Sequence, residues 1–218
     1  MTELRISEGD VAALPVLPLW IDGHAYLSVC RQYGVLPRAA SGVPVRRFPV
    51  CGSTEVVRAC ASARNALAET VDGTSSPEAV WRAWADLVER YHGHLTGLLQ
   101  EDSGWPAEVA AAEVTAVATC LRDAFNAGPR CLAIIGPEAA APVSGALRAA
   151  LPILRADGCV IVLSSSQAPS VMVALAELSA RAGLRSGVFS LLHGDATTWA
   201  ALCAQPGVTR LTDAAVPD

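Results

Sequence analysis

A chain of 218 residues that is 52% hydrophobic and 17% charged has enough apolar material for a large core, which excludes a disordered protein. Its formal net charge of -5 gives no electrostatic reason to bind a phosphate backbone or an anionic bilayer, so neither nucleic-acid nor membrane partners are expected. All 16 basic residues are arginine, and without lysine every mechanism that needs a Schiff-base, P-loop or cofactor-gripping lysine is excluded.

Leu17 to Ile21, the Asp22-Gly23 dipeptide and His24 to Leu27 predict two short strands joined by a tight turn, because Asp-Gly tolerates positive φ. Residues 28–50 mix glycine, proline and β-prone pieces without periodicity, predicting an extended segment that ends in a strand near Val45 to Val50. Ser53 reads as the N-cap of a helix carrying Val56, Cys60, Ala63 and Leu67 at helical spacing. After a loop from Asp72 to Ser75, Ser76 caps again with Pro77 at the first helical position, and the stripe from Val80 to Leu99 predicts one long amphipathic helix closed near Ser103-Gly104. A third helix opens at Pro106 and ends at Gly128-Pro129.

From Arg130 the pattern changes to short apolar runs alternating with helices. Strands at Cys131 to Ile135, Val160 to Leu163, Val188 to Leu192 and Val208 to Thr212, with helices near 142–156, 169–182 and 196–204, predict β-α-β units. The expected fold class is α/β: a helical N-terminal part with a short β-hairpin, then a half Rossmann-like parallel sheet with flanking helices. The expected division is 1–128 for the hairpin and helical segment and 129–218 for the partial α/β segment, together one compact unit.

The seven cysteines are scattered, odd in number and never spaced as C-x-x-C, which argues against a disulfide framework or a zinc ribbon. His92 and His94 are two apart on a helix and cannot share a face as a metal pair, so no metal site is expected and both are read as solvent-side. Glu101, Asp102 and Glu113 are read as solvated helix-end residues rather than a catalytic pair. Of the five tryptophans, Trp81 and Trp199 are expected at a contact surface. Met1 to Val11 has no basic n-region followed by an apolar stretch and no apolar run reaches spanning length, so a cytoplasmic protein is expected.

The order of the pieces and the words within them resemble the aldehyde dehydrogenase superfamily. Pro18-Leu-Trp-Ile-Asp-Gly23 is similar to its opening hairpin, and Phe48-Pro-Val-Cys-Gly-Ser-Thr-Glu to the strand and helix that follow. Glu89-Arg90, Glu101 to Pro106 and Glu113 resemble its long helix pair. Ala176-Glu-Leu178, Ala182-Gly-Leu184, Gly187 to Gly194 and Pro206-Gly-Val208 resemble its cofactor domain. The match runs through almost the whole chain but only through the front part of the family's fold. The family's nucleophilic cysteine and water-activating glutamate belong to its later part, so no catalytic residue is expected here.

The resemblance also implies which cofactor positions to inspect. The Thr-Pro-Trp-Asn-Phe-Pro motif, whose asparagine stabilises the oxyanion, falls on Gly136 to Ala141; Pro137 survives, followed by Glu138, and Ala139 stands where the amide donor belongs and cannot donate. The ribose-gripping lysine falls on Leu163 or Ser164, and the serines there read as capping for the helix near Pro169. Gly194 keeps a close-approach glycine, while a later such position falls on Trp199, whose indole would occupy the adenine's space; the family's Phe-Thr-Gly-Ser falls on Asp213 to Val216. Pro137, Glu138, Ala139, Ser164, Gly194 and Trp199 are therefore read as vestigial, with no cofactor-binding residue and no bound cofactor expected. The expected function is a non-catalytic aldehyde-dehydrogenase-like interaction or scaffold subunit with a protein partner, either a complete aldehyde dehydrogenase or itself. The alternative is a subunit of an NAD(P)-dependent aldehyde dehydrogenase whose cysteine and glutamate come from another chain. The family's oligomerisation hairpin is shortened, since Phe125 to Arg130 passes almost directly from helix to strand, which puts the usual family dimer in doubt.

Overall fold

In a computed structural model, which describes residues 12–30, 32–69, 77–123 and 126–211, the chain is α/β with a mixed six-stranded sheet. Strands β1 (Leu19–Ile21) and β2 (His24–Tyr26) form the expected hairpin, with Asp22 at φ 58° and Gly23 at φ 74°. Two consecutive left-handed residues give the turn that matches the twist of paired strands. Within residues 28–50, read from sequence as one extended segment with a strand only at its end, residues 33–37 form a further strand: β3 (Tyr33–Pro37) pairs antiparallel with β4 (Pro44–Pro49). Its signal is hidden because Gly34 stands opposite Phe48, whose ring fills the space a side chain would need.

Helix α1 (Ser53–Ala68) starts one residue earlier than expected, with Gly52 at the cap in place of Ser53 and its N–H donated to Glu55 Oε2 at 3.0 Å. The long helix is two helices, α2 (Pro77–Arg90) and α3 (His92–Ser103), interrupted at Tyr91 with φ -98° and ψ 14°. Apolar spacing could not reveal the break, because hydrogen bonds from Tyr91 N to Leu87 O and from Leu95 N to Tyr91 O carry the stripe across it. Trp81 is buried, 3% exposed, and packs against Trp84, contrary to its expected place at a contact surface. Helix α4 is Ala107–Arg122. The cap expected at Ser76 lies outside the described residues.

The last part follows the expected alternation: β5 (Leu132–Ile135), α5 (Ser144–Arg155), β6 (Cys159–Leu163), α6 (Pro169–Arg181), β7 (Phe189–Leu192), α7 (Ala196–Cys203) and β8 (Val208–Arg210). The sheet order is β2-β1-β7-β6-β5-β8; the last four strands are parallel, and β1 joins β7 antiparallel with Trp20 opposite Leu191. Every residue of β5, β6 and β7 is buried, as apolar runs covered on both faces require.

The connections out of β5 and β6 step the same way along the sheet, and the one out of β7 steps back past β5. Right-handed crossovers then put α5 and α6 on one face and α7 on the other. Helix α1 shares the α7 face, packing small residues Ala59, Cys60, Ala63 and Ala66 on the sheet. Helices α2, α3 and α4 form an outer layer over α5 and α6, anchored by Trp84, Val88, Leu95, Leu99, Val117 and Leu121. Gly187, at φ 78°, lets the chain enter β7 under α1: a Cβ there would lie 2.8 Å from Ala66 Cβ. Gly187→Ala should therefore lower the unfolding free energy by about 1–3 kcal/mol in urea denaturation.

Candidate functional site

In an open α/β sheet, ligands meet the chain outside the C-terminal ends of the strands, where the strand order reverses. Here that reversal lies between β5 and β8, and α5, α6 and α7 open along the same edge. Helix N-termini of this kind attract phosphate because their first N–H groups lack partners within the helix. All three are occupied by the chain's own carboxylates. Glu113, reaching from α4, accepts the N–H groups of Val143 and Ser144 on Oε1 at 3.1 and 2.8 Å, and the Ser144 hydroxyl on Oε2 at 2.8 Å. Asp102, in the last turn of α3, accepts Ser170 N–H at 2.7 Å and Ser170 Oγ–H at 2.8 Å. Asp195 caps its own helix, accepting the N–H groups of Thr197 and Thr198 at 2.9 and 3.1 Å.

Glu101, Asp102 and Glu113 are thus inter-element anchors and not the solvated helix-end residues their sequence suggests. Glu101 pairs with Arg38 at 2.9 Å and Arg46 at 2.5 Å, which together hold its carboxyl below the ordinary range. The Asp102 side chain is fully buried, and burial pushes its pKa up to about 6 against the opposing pull of the Ser170 hydrogen bonds and of Arg46 at 3.7 Å. His92 is half-buried, its Nε2 3.2 Å from both Ala111 O and Thr115 Oγ on α4, so only His94 fits the expected solvent exposure.

The six inspected positions line the same strand ends. Pro137 is half-buried, and Glu138 and Ala139 are exposed in the turn between β5 and α5. A side chain on Gly145 would collide with the Glu138 carboxylate, so this group too lies against the first turn of α5. Ser164 is buried and its hydroxyl lies 2.7 Å from Nδ1 of His193 at the end of the adjacent strand. His193 Nε2 lies 3.1 Å from Pro18 O, a carbonyl that can only accept, so Nε2 carries the proton and Nδ1 accepts from Ser164. The serine run therefore does not cap α6 as expected; Asp102 does, and Ser165 Oγ accepts Gln167 N–H.

The space above Gly194 is filled by Thr198, whose hydroxyl donates to Cys51 O at 2.7 Å, while the half-buried Trp199 packs on the core. The sequence reading missed His193, although the parallel register that pairs Leu163 with Leu192 brings residues 164 and 193 together. Complete burial pushes the His193 pKa down to about 4, making it a poor base, and Ser164 is 6% exposed. The pair can lock two strand ends to the β1 entry, but it is ill suited to nucleophilic attack. Among the described residues no His/Cys/Asp/Glu group could hold a metal, and no helix is long and apolar enough to cross a membrane. Asp213 to Val216 lie outside the described residues.

Residues 140–212 match the aldehyde dehydrogenase family. The glutarate-semialdehyde dehydrogenase of Pseudomonas aeruginosa is 31% identical over 79% of this chain and 41% of its own length. The NADP(+) succinate-semialdehyde dehydrogenase of Escherichia coli is 30% identical over 72% of this chain and 37% of its own. Among solved structures, an NADP-dependent glyceraldehyde-3-phosphate dehydrogenase from Bacillus halodurans complexed with NADP superposes with TM-score 0.77 at 20% identity, over 88% of this chain and 46% of that one. The chain thus spans less than half the length of these relatives.

Replacing Glu113 with alanine should strip the α5 cap and lower the unfolding free energy by about 1–3 kcal/mol, while Glu108→Ala, exposed on the same helix, should change it by less than about 0.5 kcal/mol in the same urea titration. Asp102 and His193 should oppose each other in acid. The Asp102 pKa is raised on folding, so the folded chain takes up that proton first and acid favours folding through it between about pH 6 and 4. The His193 pKa is lowered on folding, so the unfolded chain protonates first and acid disfavours folding through it between about pH 6.5 and 4. The stability gap between the native chain and His193→Gln should therefore narrow by about 2 kcal/mol between pH 6.5 and 4.5. A gap independent of pH would mean that the imidazole titrates normally in the folded chain.

Proposed function

We propose, from the premise that the chain belongs to the aldehyde dehydrogenase family, that it is a non-catalytic member serving as an interaction or scaffold subunit. Its partner on this reading is a complete aldehyde dehydrogenase or a second copy of this chain. The observation that carries the proposal is the occupation of three helix N-termini by Glu113, Asp102 and Asp195. A dinucleotide pyrophosphate arriving at these helices meets carboxylates in place of free N–H groups, and like charge repels it. Two further features support the reading. Ala139 has no donor to offer a developing oxyanion, and the chain has no lysine to grip a ribose.

The alternative, a subunit completed by a cysteine and glutamate from another chain, needs a working NAD(P) cleft, so one measurement separates the two. With NAD+ or NADP+ at about 1 mM, a dissociation constant near 0.1 mM would add roughly 1.4 kcal/mol of stability and raise Tm by a few degrees. No rise is expected. A dose-dependent rise would reject the vestigial cleft and favour the alternative. The scaffold role predicts a complex in sedimentation velocity, either of this chain alone or with a co-expressed aldehyde dehydrogenase from the same host. A lone monomer under both conditions would reject it.

A further inference from the structure

A groove of about 300 Å³ lies at the opposite end of the strands, where the β1–β2 turn, one face of α1 and the Arg185-Ser186 entry to β7 meet. That volume is at the small end of ligand sites, enough for a metabolite of a few carbons and too small for a dinucleotide. Arg58, Ser62, Asn65 and Glu69 recur along α1 at helical spacing and form one wall; His24 and Tyr26 of β2 form the facing one.

The charges in the groove are not balanced pair by pair. Arg185 is held by Glu69 at 2.9 Å and by Ala66 O at 2.8 Å, and Asp22 accepts the Ser62 hydroxyl at 3.3 Å. Arg58 has no carboxylate partner among the described residues. Its guanidinium lies 4.8 Å from the centre of the Tyr26 ring, which covers one face and leaves the N–H edge free. A guanidinium whose plane is fixed by an aromatic ring is pre-organised for bidentate pairing with a carboxylate. The Asn65 amide and Ser186 hydroxyl, both lining the groove, likewise have no side-chain hydrogen-bond partner among the described residues. Asp22 and Glu69 retain acceptor capacity at the rim. They disfavour a dianion such as phosphate and favour groups that donate hydrogen bonds.

We propose that this groove binds a small hydroxy- or amino-carboxylate, its carboxylate paired with Arg58 and its hydroxyl or ammonium group directed to Asp22 or Glu69. The site is separate from the helix N-termini and does not depend on the reading of the cofactor edge. The test uses the full chain, with L-lactate, L-serine and inorganic phosphate as probes, followed by nitrogen-15 NMR titration of the arginine side chains to about 10 mM. Expected is a saturable shift of the Arg58 signal with lactate or serine and none with phosphate. Arg58→Gln should weaken binding at least about tenfold, whereas Arg210→Gln, on the far sheet edge, should leave it unchanged. Because Arg58 is exposed and makes no hydrogen bond or ion pair among the described residues, the variant should fold, as its spectrum will report. No shift with either organic acid, a shift that survives Arg58→Gln, or equal binding of phosphate would overturn the proposal.

Discussion

The packing of the outer helices depends on two carboxylates that each close the end of a helix in another layer. Glu113 from α4 ends on α5, and Asp102 from α3 ends on α6. A buried helix terminus without partners costs several unmade hydrogen bonds, so these contacts fix where the outer layer sits. The cost of burying Asp102 shows in its raised pKa, and Arg46 and the Ser170 groups offset part of it. Around this anchor, Arg38 and Arg46 converge on Glu101 and tie the β3–β4 hairpin to the same helix end.

The same contacts bear on function. A helix N-terminus is a resource that either a ligand or the protein itself can use. In this chain α5 and α6 are closed by residues far away in sequence and α7 by its own Asp195. Family likeness fixes the scaffold, while the occupancy of these ends bears on what the scaffold can hold. The locking of Ser164 to His193 and the filling of the Gly194 space by Thr198 belong to the same pattern, in which strand ends are satisfied from within.

The α/β half was legible because its signals are local. Cys159 to Leu163 is an unbroken apolar run, and Pro169 announces the helix after β6. The Asp22-Gly23 turn was equally plain. What stayed hidden was set by contacts distant in sequence. Gly34 counts as strand only when Phe48 covers it, and the Tyr91 break leaves the apolar stripe intact. Glu101, Asp102 and Glu113 look like solvent residues until residues 38, 46, 144 and 170 are brought beside them. Trp81 was assigned to the surface although Trp84 and Arg155 enclose it. The groove beside Arg58 draws on three separate stretches, and no motif marks it.

The hairpin that joins the sheet at β1 has a consequence for how the chain can be divided. Trp20 and Ile21 are sheet residues, and Pro18 holds His193 from below, so the first described strand and one of the last complete each other. A cut near residue 128 would separate strand from sheet, cap from helix and imidazole from carbonyl in one stroke. Each fragment would then carry buried polar groups whose partners lie in the other, among them Glu113 and Ser144, Asp102 and Ser170, and Pro18 and His193.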